Sequence, residues 1–188
     1  MSMFAFFRSF RSGVVCILWL LTMSWGSRLS AAESPSLNEH LEPFRKWLGK
    51  TWRGEFKEST PEKPVVDISR WERALNGQAI RIVHSINNGQ YGGETIVTWN
   101  PEKKSLVYHY FTTAGFQTTG TMTLTNNQYT SHEIVSGAAN GVTEVKATGE
   151  LRSDGTMKTQ SQYLKNGKWE DGHSATYREA PNAQVIFK

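Results

Sequence analysis

Four histidines, His84, His109, His132 and His173, fall in the part of the chain that carries most of its pattern. Metal chemistry would need two or more of them at ligand spacing, such as His-x-x-x-His, and nucleophilic catalysis would need a Ser with an acidic partner near one of them. Neither arrangement is present in the sequence, so a zinc hydrolase and a triad enzyme are not expected and no catalytic residue is assigned. What remains is recognition chemistry. Arg73 and His84 each sit in a largely apolar alternating run, where either could serve as the polar anchor that pairs with a ligand carboxylate. Trp71, Tyr108, Tyr110, Phe116 and Met122 occupy period-two positions in neighbouring runs and are the expected lining of a cavity. Glu144 and Glu150 share a face with Lys146 and Arg152, which reads as a solvated charged face and not as an acid–base pair.

These residues need strands to position them, and the punctuation for strands is explicit. Asn76-Gly77, Asn88-Gly89, Asn140-Gly141, Asn166-Gly167 and Asp154-Gly155 each fall between alternating apolar runs. Such dipeptides accept the positive φ that tight hairpins require. The spacing predicts about ten antiparallel strands over 51–58, 65–75, 79–86, 93–99, 106–113, 116–125, 128–136, 142–152, 157–164 and 169–178. No long helical pattern interrupts them, so the expected fold is all-β, and an up-and-down barrel removes the two edges that an open meander would expose. A barrel of eight to ten strands can enclose one small ligand. A β-sandwich is the alternative.

Before the strands, Ser36-Leu37-Asn38-Glu39 fits a capping box and Leu37, Leu41, Phe44 and Leu48 recur at helical spacing. Pro43 should break the run, so two short helical pieces are expected as a lid over residues 33–49. The barrel domain should span 50–180, with 181–188 as a tail without usable pattern.

Residues 1–32 have the three parts of a secretory signal: Arg8 and Arg11, then the apolar run from Gly13 to Met23, then Ser30-Ala31-Ala32. The expectation is an exported protein, periplasmic or extracellular, with no stable membrane insertion once the signal is removed. Of 21 basic residues three lie in that leader and none of the 17 acidic ones does, so the basic excess falls from +4 to +1 and a nucleic-acid partner is not expected. The one cysteine, Cys16, lies in the apolar run, which leaves no disulfide to staple the domain and no cysteine chemistry.

Trp52 to Phe56 (Trp-Arg-Gly-Glu-Phe), Leu75-Asn76-Gly77, Tyr91-Gly92-Gly93-Glu94, Trp99 to Lys103 (Trp-Asn-Pro-Glu-Lys) and Tyr177-Arg178 resemble, in order and spacing, an exported lipocalin-like family of unknown function. The opening from Leu48 to Gly54 is similar to the Gly-x-Trp start of calycin barrels, with two residues between Gly49 and Trp52 in place of one, and to the opening of nitrobindin-like haem barrels. The calycin resemblance implies that Arg178 stacks on Trp52 to close one end. The nitrobindin resemblance implies a haem ligand on the last strand, where His173 shares a face with Ala175 and Tyr177. The expected function is non-catalytic binding of a small hydrophobic or amphipathic ligand, with no cofactor. A haem protein acting on reactive nitrogen or oxygen species, and a solid-core structural barrel, are the alternatives.

Overall fold

A computed structural model describes residues 36–188 and shows ten strands closed into one antiparallel barrel. The expected signal, with Cys16, and the first residues of the expected lid lie outside the described residues. The strands are β1 (Lys50–Phe56), β2 (Val66–Ala74), β3 (Ala79–Ile86), β4 (Tyr91–Asn100), β5 (Ser105–Thr112), β6 (Gln117–Thr125), β7 (Gln128–Ala139), β8 (Val142–Leu151), β9 (Met157–Lys165) and β10 (Lys168–Glu179). Each pairs with its neighbours in sequence, and β1 pairs with β10 through Trp52 opposite Glu179 and Phe56 opposite Ala175. Closure leaves no strand edge unpaired, which is how a long antiparallel sheet avoids templating aggregation.

The turns form where the dipeptides put them. Asn140-Gly141 and Asn166-Gly167 have positive φ at both residues in two-residue loops, the conformation of a type I′ hairpin, while Asn76-Gly77 and Asn88-Gly89 have positive φ within the longer connections 75–78 and 87–90. One further turn, Asn126-Asn127 with φ of 50° and 65°, uses a second Asn where a Gly would be usual. Asn tolerates the left-handed region because its short side chain hydrogen-bonds locally.

The segment before β1 differs from the expected pair of helical pieces. It is one continuous 3₁₀ helix over Glu39–Trp47, and its cap is Asn38, whose Oδ1 accepts from the backbone N–H of His40 at 3.1 Å. Leu41, Phe44 and Trp47 are its buried residues. They recur every three residues, the period at which side chains of a 3₁₀ helix line up, so the apolar spacing favours that form and Pro43 removes only one donor. Ser36 contributes through its backbone and not as a cap. Its carbonyl accepts from Arg73 Nε at 2.6 Å, while Asn38 N–H donates to the Gly77 carbonyl at 2.8 Å. These bonds moor the segment across one end of the barrel.

At that end the core is aromatic and filled. Trp47 lies 5.1 Å from Trp71 and 5.4 Å from Tyr129 between ring centroids, Phe44 lies 6.0 Å from Trp47, and His40 stacks on Trp99 at 3.6 Å. Trp52 is buried beside them, but the expected stacking partner is elsewhere. Arg178 pairs with Arg53 on the outer, exposed face, while Trp52 points inward, because adjacent residues of a strand face opposite sides. The cation over the Trp52 ring is Lys50, at 5.5 Å.

The tail continues the fold on its outside. Ile186 N–H donates to Ser85 Oγ at 3.0 Å, and the Phe187 ring lies beside Gly92, so residues 181–188 cover the outer face of β3 and β4, where Val83 and Ser85 are buried.

Candidate functional site

The opposite end of the barrel is not filled. A cavity of about 530 Å³ opens there, and a second lobe of about 300 Å³ continues it towards the plug. Phe56, His84, Tyr110, Glu133, Ser161 and His173 border both lobes, which makes them one continuous interior. The outer lobe adds Tyr91, Phe116 and Tyr163 among others; the inner one adds Trp71, Tyr108, Met122, Tyr129 and Tyr177.

The tyrosine rings that line the lumen lie close against its wall, which makes room for them. A Cβ at Gly54, Gly93, Gly120, Gly149 or Gly172 would stand within 3.0 Å of the ring of Tyr177, Tyr110, Tyr108, Tyr129 or Tyr163 respectively. Each ring lies against bare backbone of an adjacent strand, a close approach that only glycine permits.

Two hydrogen-bonded groups organise the polar side of this interior. In the first, Tyr91 Oη lies 3.0 Å from Tyr110 Oη, Tyr110 Oη lies 2.7 Å from His84 Nε2, and His84 Nδ1 lies 2.8 Å from Asp67 Oδ1. Tyr177 donates to the other oxygen of Asp67 at 2.9 Å. A carboxylate only accepts, so Nδ1 carries the imidazole proton and, in the neutral ring, Nε2 accepts from Tyr110. Tyr110 in turn accepts from Tyr91. In the second group, Glu133 Oε2 accepts from Tyr108 at 3.0 Å and from Thr118 at 2.6 Å.

Burial sets the protonation of these groups. It pushes the Tyr108 and Tyr110 hydroxyls well above the usual phenol value, with the Glu133 charge adding to it at Tyr108 and the neighbouring Tyr91 at Tyr110. The Tyr129 hydroxyl is pushed up to about 12 by burial and then by Glu133. All three stay protonated, and Tyr108 and Tyr110 donate to Glu133 and His84. Burial also pushes the Glu133 carboxyl up, against the opposing hydrogen bonds from Thr118 and Tyr108 and the charge of His132 on the outer face.

That shift has a sign. The folded protein holds the Glu133 proton at a pH where the unfolded chain releases it, so the associated stability is present below the ordinary carboxylate value of 4.5 and is lost as pH rises through the raised one. Glu133→Gln is expected to flatten the fall in urea midpoint as pH rises above 4.5, relative to the parent. Parallel midpoint-against-pH curves for the two proteins would remove Glu133 from this role.

Several sequence-derived candidates meet in the cavity and others do not. Trp71, Tyr108 and Met122 line the inner lobe, Phe116 the outer, and Tyr110 and His84 both. His173 borders both lobes at the mouth, about half-exposed, with Nδ1 on Glu58 Oε1 at 2.6 Å and its ring 5.0 Å from that of Phe56. Arg73 is not a cavity anchor. It has the inward parity of Trp71 but lies two residues further along β2, past the plug, where its guanidinium is exposed and holds Ser36. His109 and His132 are on the outer face, the latter paired with Glu144 at 2.6 Å.

Sequence reading passes over Asp67 and Glu133, the two acids of the interior. Period two does carry them: Asp67 shares a face with Ser69 and Trp71, and Glu133 with Tyr129, Ser131 and Val135. The signal is present but ambiguous, since an acidic residue in an alternating strand usually marks the solvent face.

Among the described residues no group of three or more His, Cys, Asp or Glu side chains is placed to hold a metal ion. No family model matches the chain, and no curated protein matches it. Among solved structures, the crystal structure of Rv2717c from M. tuberculosis is similar, with a TM-score of 0.58 and 13% identity over 77% of this chain and 99% of that one. At that identity the likeness is one of fold: an antiparallel β-barrel of the same coarse kind.

Proposed function

We propose that the protein is an exported, non-catalytic carrier or sensor of a small molecule with substantial apolar surface, held in the open end of the barrel. The observation that carries this reading is the cavity itself: a lumen of about 530 Å³ between aromatic walls, in a barrel whose other end is packed solid. Ligand sites are commonly concave, mostly apolar and furnished with a few convergent polar groups, which here are His84, Tyr91 and Glu133. A barrel filled throughout would leave no such space.

The test is native mass spectrometry of the chain from about Glu33, purified from its own host's envelope without detergent. An adduct lost on denaturation is the expected result and gives the ligand mass. A bare polypeptide mass from every preparation, together with no response to added apolar probes, would overturn the reading.

A second reading has one observation in its favour. His173 Nδ1 is held by the Glu58 carboxylate, which leaves Nε2 as its other ring nitrogen beside the cavity mouth, the arrangement that orients a metal-ligating imidazole. In a haem protein of the nitrobindin kind His173 would be the axial ligand, and haem would supply the chemistry towards reactive nitrogen or oxygen species. The fit is partial, because no Lys or Arg among the described residues lines either lobe to meet haem carboxylates. A haem titration whose Soret change is the same for His173→Ala as for the parent would dispose of this alternative.

A further inference from the structure

The cavity walls have a chemical polarity that the carrier reading alone does not use. Three ionisable side chains other than tyrosine line the outer lobe, Glu133, His84 and His173, and Asp67 stands directly behind His84. No Lys or Arg among the described residues lines either lobe. An anionic ligand would therefore enter a low-dielectric interior that already holds two acids and offers no fixed cation, an arrangement that disfavours its charge.

Hydrogen-bond accounting points the same way. The hydroxyl protons of Tyr108 and Thr118 go to Glu133, that of Tyr177 goes to Asp67, and, with a neutral His84 ring, those of Tyr91 and Tyr110 run inward along the chain to His84. What these groups have left for a guest is lone pairs. Tyr91 Oη, at the head of its chain, is free to accept, and both hydrogen bonds to Glu133 land on Oε2, so Oε1 accepts none among the described residues. Beside these acceptors are aromatic faces: Tyr91 and Phe116 stand with ring centroids 6.5 Å apart and nearly parallel.

We propose that the cavity selects an organic cation, an ammonium group carried on an apolar body, with Glu133 and Tyr91 receiving its N–H donors and the surrounding rings facing its charge. An ammonium has donors only and so complements the open lone pairs of Glu133 and Tyr91, while aromatic faces attract the same charge through their quadrupoles. Desolvation leaves Glu133 short of a counter-charge in the empty barrel, and the guest supplies it. The anchor chemistry is thus the opposite of the carboxylate-binding role expected for Arg73 or His84. This inference rests on the carrier reading and adds the sign of the ligand's charge to it.

Three probes of matched shape separate the two ideas: 4-phenylbutylamine, 4-phenylbutan-1-ol and 4-phenylbutyrate, titrated by calorimetry near neutral pH against the mature chain. The amine is expected to bind about 10- to 100-fold more tightly than the alcohol, the ratio of one hydrogen bond to a charged group, with the carboxylate weakest. Glu133→Gln should bring amine and alcohol to within about threefold of each other. Should that variant misfold, the ranking of the three probes on the parent protein decides alone. Carboxylate binding equal to or tighter than amine binding overturns the cation proposal and leaves the carrier reading standing. Failure of all three probes to bind counts against both.

Discussion

Trp47→Ala is expected to lower the unfolding free energy by about 3–5 kcal/mol, the usual cost of truncating a fully buried Trp to Ala. Trp47 has no exposed surface, and its ring meets Phe44, Trp71 and Tyr129, so the truncation leaves a void between the 3₁₀ segment and the strands. Its indole N–H has no hydrogen-bond partner among the described residues, and removing that buried donor offsets a fraction of the loss. The check is a denaturant midpoint with an unchanged m-value. Trp169, on the outer face with Lys146 over its ring at 4.2 Å, is the control, and its truncation should cost under about 1 kcal/mol. A Trp47 effect as small as the control's would mean that the segment is not part of the cooperative unit and that the plugged end opens on its own.

Asp67→Ala should be the second large effect, at about 3 kcal/mol, because it strands two buried partners at once. Asp67 is 3% exposed and accepts from both His84 and Tyr177, on strands β3 and β10. Losing it leaves the Tyr177 hydroxyl orphaned and frees the His84 ring to exchange tautomers, since nothing then holds the proton on Nδ1. Nitrogen NMR of the imidazole reads the second consequence directly. The parent should show the proton held at Nδ1, and the variant a mixture of tautomers. A variant with full stability and the parent's His84 spectrum would show that Asp67 does not organise the chain that runs through Tyr110 to Tyr91. Because His84 touches the cavity, water there can replace part of what it loses, so the stability effect should fall below that of a fully dry pair.

The cavity is only partly legible in the sequence, and the two acids show why. Lining positions such as Trp71, Tyr108 and Met122 follow from alternation plus hydrophobicity, two signals that agree. At Glu133 they disagree: alternation faces it inward with Tyr129 and Ser131, while its charge argues for solvent. The interior resolves that conflict with Tyr108 and Thr118, donors that come from strands β5 and β6 and are distant in sequence. Arg73 departs from expectation for another reason. Alternation gives the face of a residue but not its height along the barrel, and at the height of Arg73 the inside is already closed off by the plug.

The strands, their order and the tight turns between them were determined by the sequence alone, because each Asn-Gly hairpin and each period-two run is a local preference of a few residues. The 3₁₀ form of the plug was also encoded locally, in the three-residue spacing of Leu41, Phe44 and Trp47. Only the tertiary structure decided which end of the barrel is filled, how Asp67, His84, Tyr110 and Tyr91 join across four strands, and that the tail covers β3 and β4. Those outcomes depend on closure between β1 and β10, where Trp52 meets Glu179, and on side chains meeting across the lumen, contacts between residues far apart in sequence that no local pattern specifies.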